Sequence, residues 1–231
     1  MAKRFPTYFP KNINQRVPSM AYAADAVHSG TLIVDLGSPP LADADYFIAG
    51  GSISASTAFA ASTFTMVNTK VTERYGVNVQ VAAVTGFSTD TVRAVTLTGR
   101  DYLGQLMTET INMLTTTGVT AVEGLKAFKW LDSVAVGAAT DAAQAQTINV
   151  GTGSELGLPY RCLKAFIDFS DGLVAGTTGA LTAPLAASIS STLTTADVRG
   201  TYDAGITLNG TVTLSVLVSV DRDNLHGNAQ A

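Results

Sequence analysis

Three charged side chains lie close together around a glycine turn in the middle of the chain, where they could do chemistry. Arg100, Asp101 and Glu109 could act as an anchor, a base and an acid if a pocket held them together. The flanking sequence favours another interpretation. Residues 91–98 and 108–114 alternate between polar and apolar or β-branched side chains, which is typical of two antiparallel strands joined by a turn. We therefore expect a hairpin corner here.

Each residue of such a corner has a structural role. Asp101 can accept hydrogen bonds from its own downstream backbone, Gly104 can adopt a positive φ, and Tyr102 can cover the end of a sandwich. Arg100 and Glu109 could form an ion pair across the hairpin. This interpretation predicts a stabilising role and no catalytic residue.

A second candidate is the glycine-rich run at residues 151–157. It resembles the dinucleotide-binding fingerprint, but its third glycine is one place too late and Pro159 follows instead of a helix. We expect a turn between strands and no cofactor. The two histidines, His28 and His226, lie near opposite ends of the chain without neighbouring ligands, so zinc is not expected either.

Pairs of acidic residues could donate oxygen atoms to Ca²⁺, but none of them supplies the six or more ligands that a site needs. These pairs are Asp43 and Asp45, Asp168 and Asp171, and Asp221 and Asp223. We expect them to solvate turns and sheet edges. The single cysteine, Cys162, has the neighbours of a small apolar strand residue and no adjacent base. The sequence thus predicts no catalytic and no metal-binding residue.

Composition limits the class of protein. The chain has 231 residues, of which 46% are hydrophobic, enough to bury a sizeable core, while only 14% are charged. A soluble domain usually carries about 25% charged residues. The net charge of −4 gives no broad basic field, so a nucleic acid is not expected as a direct partner. The single cysteine fits a reducing cytoplasm, and the chain has no apolar run typical of a signal peptide or a membrane span. We therefore expect a soluble protein made in the cytoplasm, with no membrane contact.

The amino-terminal segment differs from the rest. Residues 1–30 contain prolines that prevent a regular helix near the start, and we expect an extended arm. Cations and aromatic residues are interleaved there, as candidates for binding a partner: Arg4, Phe5, Tyr8, Phe9, Lys11 and Arg16. Two interpretations stay open, a mobile terminus and an arm that docks on a partner. Residues 31–231 are expected to form one β body, with a possible long loop at 42–64.

Strand signals recur through this body. Residues 31–36 and 75–84 are β-branched and apolar, and Asn209 with Gly210 forms a typical hairpin dipeptide between two strand-like runs. In a further strand, four side chains are expected to share the core face: Phe128, Trp130, Val134 and Val136. Many short strands separated by turns predict an all-β fold, an antiparallel β-sandwich or jelly-roll-like body.

Several of these segments resemble a β-sandwich pattern of tailed-bacteriophage virion proteins. The pattern has a G-x-D-x-x-G-x-x-x-x-E-x-I hairpin, a K-A-F-K strand and a V-G-x-G turn. The matching segments are residues 97–111, 124–134 and 148–160, followed by 197–202 and 224–227. The resemblance spans roughly residues 75–227, and its motifs are turns and core positions.

The resemblance implies a phage structural protein without enzymatic activity, closest to head decoration (cement) proteins. Such proteins bind the outside of the major capsid protein lattice and commonly form homotrimers. The expected location is the capsid exterior of the virion, after synthesis in the cytoplasm of the bacterial host. The alternatives are a tail-tube or head–tail connector subunit and a receptor-binding or carbohydrate-binding module. The last should display a cluster of exposed aromatic residues, whereas Trp130 is the only tryptophan.

Overall fold

Strands make up the whole regular structure of the part of the chain that the computed structural model describes. That part comprises residues 29–53, 62–85, 92–114, 121–137, 146–176, 179–185 and 196–228. It contains fourteen strands: β1 (Ser29–Gly37), β2 (Ile48–Ile53), β3 (Ser62–Thr63), β4 (Val77–Thr85), β5 (Val92–Arg100), β6 (Leu106–Leu114), β7 (Val122–Glu123), β8 (Trp130–Val136), β9 (Gln146–Gly157), β10 (Cys162–Ser170), β11 (Leu173–Val174), β12 (Ala180–Thr182), β13 (Thr201–Asp203) and β14 (Leu214–Asp221). The all-β, sandwich-like prediction is confirmed.

The strands form three antiparallel sheets. The terminal sheet has the order β1-β14-β10-β11, and the hairpin sheet has the order β3-β8-β5-β6. The central sheet has the order β12-β13-β9-β4-β7, and β2 also pairs with β9. β2 pairs with the first part of β9 and β13 with its last residues. One long strand, β9, therefore organises the six-stranded sheet.

Alternating side chains build a core shared by all three sheets. In β14 the inward residues are Leu214, Val216, Val218 and Val220, all at most 3% exposed. In the hairpin sheet, Leu97 and Ile111 are fully buried. All of them belong to one hydrophobic cluster. Because a strand exposes alternate side chains to opposite faces, the period-two pattern of the sequence is sufficient to place these residues.

One chain segment connects the central sheet to the hairpin sheet. β7 pairs with β4, and β8 lies in the hairpin sheet. Between them, the Phe128 N–H donates to the Val77 carbonyl at 2.9 Å and the Val77 N–H donates to the Phe128 carbonyl at 3.1 Å. A strand segment that changes sheets in this way fixes the two layers relative to each other.

The expected hairpin is present, with β5 and β6 paired without interruption from Val92 with Leu114 to Arg100 with Leu106. The expected loop at 42–64 is wrong in part, because β2 occupies Ile48–Ile53 and pairs with β9. The side chains of this strand are too small for a sequence signal. Its register shifts between Ile48 and Gly51, and Gly50 has a φ of 60°, as in a β-bulge.

The expected turn at 151–157 is also wrong, because β9 runs through it without a break. Its glycines make room for other parts of the chain. A Cβ on Gly151 would lie 1.9 Å from the Asp43 carbonyl oxygen, and one on Gly153 would lie 2.2 Å from Asn78 Oδ1. Glycine within a strand here marks a close approach of backbone and side chain.

Trp130 does not share the core face with Phe128, Val134 and Val136. The register between β5 and β8 shifts after Thr98, and Leu131 is buried in its place. Trp130 is half-buried, with Lys70 Nζ 5.6 Å from its ring centroid. The bulge reverses the alternation, and the sequence pattern carries no signal of it.

The Asn209–Gly210 turn exists, but it does not join two paired strands. Asn209 Oδ1 accepts hydrogen bonds from the Thr211 and Val212 N–H groups, at 2.9 and 3.0 Å. Residues 204–213 contain no strand, and β14 pairs with β1 and β10. The hairpin prediction is therefore wrong, because the dipeptide fixes a turn and not the partner of the strand that follows.

Candidate functional site

The hairpin corner has the predicted local structure. Asp101 Oδ1 accepts hydrogen bonds from the N–H groups of Leu103 and Gln105, at 2.9 and 2.8 Å. The Gly104 N–H donates to the Asp101 carbonyl at 3.0 Å, and Gly104 has a φ of 81°. Tyr102 donates from its hydroxyl to the Pro159 carbonyl, so it joins the corner to the end of the central sheet.

The second carboxylate oxygen of Asp101 has a partner from a distant part of the chain. Arg199 Nη2 lies 2.9 Å from Asp101 Oδ2, and neither side chain is more than 1% exposed. Arg199 Nε donates to the Leu158 carbonyl at 3.1 Å, and its guanidinium carbon lies 5.0 Å from the Tyr102 ring centroid. A buried cation thus connects the hairpin corner, the end of β9 and the turn before β13.

The turn at residues 197–200 has the same kind of hydrogen bonding as the hairpin corner. Asp197 Oδ1 accepts a hydrogen bond from the Arg199 N–H at 2.9 Å, and Gly200 closes the turn with a φ of 84°. Asp197 Oδ2 accepts from the Ala127 N–H at 3.1 Å. Both corners have the sequence Asp-x-x-Gly. In both, one carboxylate oxygen accepts hydrogen bonds from its own turn and the other contacts a remote segment.

Two further charged groups are buried beside this turn. Glu109 Oε1 accepts a hydrogen bond from the Leu125 N–H at 2.7 Å, and Lys126 Nζ donates to the Thr108 carbonyl at 3.0 Å. Glu109 is fully buried and Lys126 is 1% exposed. Burial raises the pKa of Glu109 to about 7 and lowers the pKa of Lys126. We refer to Asp101, Glu109, Lys126, Asp197 and Arg199 as the ionisable cluster.

The expected ion pair between Arg100 and Glu109 is wrong. In the hairpin register Glu109 is opposite Leu97 and points into the core, whereas Arg100 is on the exposed side. Arg100 Nε instead lies 3.1 Å from Asp132 Oδ2 on β8. Arg100 and Glu109 therefore lie on opposite faces of the hairpin and do not pair.

A carboxylic acid with a pKa near 7 is chemically suited to proton transfer. In this cluster, however, every member is at most 1% exposed, so no substrate can reach it. The polar contacts described above close two turns or join two segments of the same chain. The arrangement holds the three segments 101–109, 124–127 and 197–200 together, and its chemistry is that of a structural junction.

Two open clefts lie elsewhere on the described surface. One, of about 230 Å³, is lined by Gly37, Pro39 and Glu73, whose carboxyl pKa is raised by burial. The other, of about 250 Å³, is lined by Leu41 and by Asp203, whose pKa burial also raises. Neither lining includes a histidine or a cysteine. Each cleft therefore places a carboxyl group and a serine hydroxyl, Ser38 in the first and Ser154 in the second, in a lining without an imidazole or a thiol.

The remaining sequence candidates take structural positions. Cys162 is buried, and burial raises the pKa of its thiol to about 12. The thiol therefore stays protonated in the core. Asp168, expected at an edge, is instead buried and accepts a hydrogen bond from the Tyr202 hydroxyl at 2.8 Å. Over the described ranges, no three His, Cys, Asp or Glu side chains are placed to hold a metal ion. His28 lies outside those ranges.

The predicted partner-binding residues also lie outside the described part of the chain: Arg4, Phe5, Tyr8, Phe9, Lys11 and Arg16. No described segment forms a helix with the length and hydropathy needed to cross a bilayer. A scan against protein-family profiles, a search of curated proteins and a search of solved structures each found no match.

Sequence reasoning missed the roles of Arg199 and Lys126. The sequence did contain a signal for both. A buried cation needs a counter-charge, and each of these residues has an Asp or Glu two or three positions away in a chain that is only 14% charged. The Asp-x-x-Gly spacing at residues 101 and 197 could also have identified two equivalent corners.

Proposed function

We propose that this chain is a structural protein of a tailed-bacteriophage virion, a capsid decoration (cement) protein. It binds the outside of the assembled head, as a homo-oligomer and most simply a trimer, and stabilises the lattice of the major capsid protein. It is made in the bacterial cytoplasm, acts on the capsid exterior, and carries out no catalysis.

One observation carries the proposal. Three of the five segments that resemble phage virion proteins meet at one junction. Glu109 joins residues 101–109 to 124–127, and Asp197 joins 124–127 to 197–199. The charged side chains at this junction are buried, and their described contacts are with other parts of the same chain. A resemblance composed of such corners supports a shared scaffold with a structural role.

The low charge of the chain supports the same role. Copies of a decoration protein crowd together on a shell, and only 14% of the residues are charged, which limits mutual repulsion. An arm of up to 28 residues with Phe5, Tyr8 and Phe9 can reach across a joint between shell subunits and anchor there. A protein that binds only the assembled shell stabilises that state by mass action.

A tail-tube or connector subunit is the second candidate. Tube subunits bridge neighbouring rings with long insertions, and a long loop at residues 42–64 would serve as one. Of these, Ile48–Ile53 form β2 within the central sheet, which shortens the segment available for such an insertion. This observation favours the head over the tail.

Co-sedimentation tests the proposal. The purified protein is mixed with assembled, undecorated heads and, separately, with tails of the phage that encodes it. Saturable binding to heads at a fixed ratio to the capsid subunit is expected. Binding to tails alone would contradict the head assignment, and binding to neither particle would contradict the virion role.

A matched pair of full-length variants tests the arm. Replacing Phe5, Tyr8 and Phe9 by serine is expected to weaken head binding by at least tenfold, because the apolar anchors are lost. Serine in place of Leu103 and Leu106, which are exposed on the hairpin corner, serves as the control and should bind like the unmodified protein.

A further inference from the structure

The outer face of the terminal sheet carries a row of aliphatic side chains. Antiparallel partners place their side chains on the same face, and Ile33 pairs with Leu217, which pairs with Ile167. Ile33 is 61% and Ile167 38% exposed. Three strands at a spacing of about 4.8 Å make this row about 10 Å wide.

The next row along the strands extends the apolar surface. Ser215 pairs with Phe169, which pairs with Val174, and Val174 is 67% exposed. None of the five apolar residues of these two rows belongs to the hydrophobic core cluster of the described chain. We refer to Ile33, Ile167, Phe169, Val174 and Leu217 as the apolar stripe.

Acidic groups border one end of the apolar stripe. Asp35 stands in the same row as Phe169, across Ser215, and pairs with Arg74 at 2.6 Å. Asp171 is exposed in the turn that joins β10 to β11 and accepts a hydrogen bond from the Thr213 N–H at 2.8 Å. An apolar surface beside exposed carboxylates suits a ligand with aromatic and cationic side chains.

The amino-terminal arm has that composition. Residues 1–28 contain Lys3, Arg4, Lys11 and Arg16 with one acid, Asp25, a net charge of +3. Since the whole chain has a net charge of −4, the remainder carries −7. The aromatic residues Phe5, Tyr8 and Phe9 lie among these cations, so charge and apolar character both match the stripe and its border.

The arm also enters the fold beside the stripe. Ser29, the residue that follows it, begins β1, and Ile33 is four positions further along the same strand, about 13 Å away. The stretch between residues 9 and 29 can span up to roughly 65 Å when extended. A tethered segment is present at its own sheet at an effective concentration in the millimolar range.

We propose that residues 1–16 of each copy bind back onto the apolar stripe of the same copy in the free protein. The aromatic residues cover Ile33, Leu217 and Ile167, and the cations face Asp35 and Asp171. The inference rests on the terminal sheet and the arm sequence, and not on the proposed virion role. If that role holds, the stripe shields the arm until the shell takes it.

Photo-crosslinking of the free, full-length protein tests this inference without any phage particle. Benzoylphenylalanine is placed at position 33, at position 167 or, as a control, at position 106, where Leu106 is 64% exposed on the hairpin sheet. Equal amounts of ¹⁴N and ¹⁵N protein are mixed before irradiation, and the joined peptides are identified by mass spectrometry. Crosslinks from 33 and 167 to residues 1–16 are expected, at least tenfold above those from 106.

The isotope pattern decides whose arm is bound. Joined peptides of one isotope only are expected, since each arm lies on its own sheet. Mixed-isotope pairs would overturn the inference in favour of exchange between copies, and so would equal yields from all three positions or none to the arm. Serine at Phe5, Tyr8 and Phe9 should lower the yield from position 33 several-fold, and an unchanged yield would contradict aromatic docking.

Discussion

Arg199 and Asp101 form a buried ion pair at 2.9 Å, although nearly a hundred residues separate them in the sequence. From the local sequence alone, the hydrogen bonds within its own turn would account for an aspartate at position 101. The arginine adds a long-range constraint, because it bonds at the same time to Leu158 and lies over Tyr102. The corner is thereby tied to the central sheet.

Removal of Asp101 should be strongly destabilising. Asp101→Ala leaves Arg199 buried without this partner and removes two turn hydrogen bonds, so we expect a loss of about 3–5 kcal/mol in the free energy of unfolding. Urea denaturation measures it. Asp132→Ala, which removes an exposed pair with Arg100, is the control and should cost about 1 kcal/mol or less. Equal losses would show that the buried pair has no special role.

The same substitution separates a corner from a binding site. At a temperature where the Asp101→Ala variant is still folded, it should bind heads with unchanged affinity. Selective loss of head binding, with the stability of the unmodified protein, would mean that Asp101 contacts the partner.

Glu109 should make the stability depend on pH. Its pKa is about 7 in the folded protein, against an ordinary value of 4.5 for a glutamate in water, so the folded state holds the proton more tightly. Its contribution is therefore most favourable below pH 4.5 and declines as the pH rises towards 7, by on the order of 1–3 kcal/mol. Glu109→Gln keeps an acceptor for the Leu125 N–H and should remove this decline. Urea denaturation between pH 5 and 8 tests it; parallel curves for both proteins would contradict the assignment.

The close approach at β9 leads to a steric prediction. Gly151→Ala would place a Cβ 1.9 Å from the backbone oxygen of Asp43, so residues 43–44 or β9 must move. We expect a loss of about 1–3 kcal/mol, as for other overpacked sites. Gly176→Ala is the control, because a Cβ at that position would meet no described atom within 4 Å. A thermal melt of both variants suffices, and similar melting temperatures would be the contrary result.

Tyr202 should stabilise the fold through its hydroxyl. The group donates to Asp168 at 2.8 Å and accepts from the Gly179 N–H at 3.0 Å in the interior. Tyr202→Phe leaves a buried carboxylate short of a donor, at a cost of about 1–3 kcal/mol. Tyr46→Phe loses an exposed hydrogen bond to Lys70 and should cost less than half as much. Urea denaturation measures the free energy of unfolding of both variants. Equal losses would contradict a special role of the Tyr202 hydroxyl.

The sequence was most informative where alternation and turn chemistry agree. The β5–β6 hairpin, with a positive φ at Gly104, follows from local pattern alone. β2 did not, because its side chains are too small for a sequence signal. The second half of β9 did not, because its glycines make room for distant parts of the chain, such as the Asp43 backbone beside Gly151. Trp130 was misplaced for a related reason, since a bulge shifts the alternation without changing composition.

The ionisable cluster also shows how little local sequence says about long-range contacts. Turn propensity predicts what Asp101 Oδ1 does, and nothing near it in the sequence predicts the partner of Oδ2. Long-range ion pairs depend on which strands become neighbours, which is decided by packing of the whole core.

We propose that this chain stabilises an assembled phage head from outside. Scanning calorimetry of undecorated heads, with increasing amounts of the protein, tests it most directly. We predict a rise in the melting temperature of the shell that saturates at a fixed number of copies per capsid subunit. An unchanged shell melting temperature, with the protein assembling into rings or tubes, would contradict the claim and move the protein to the tail.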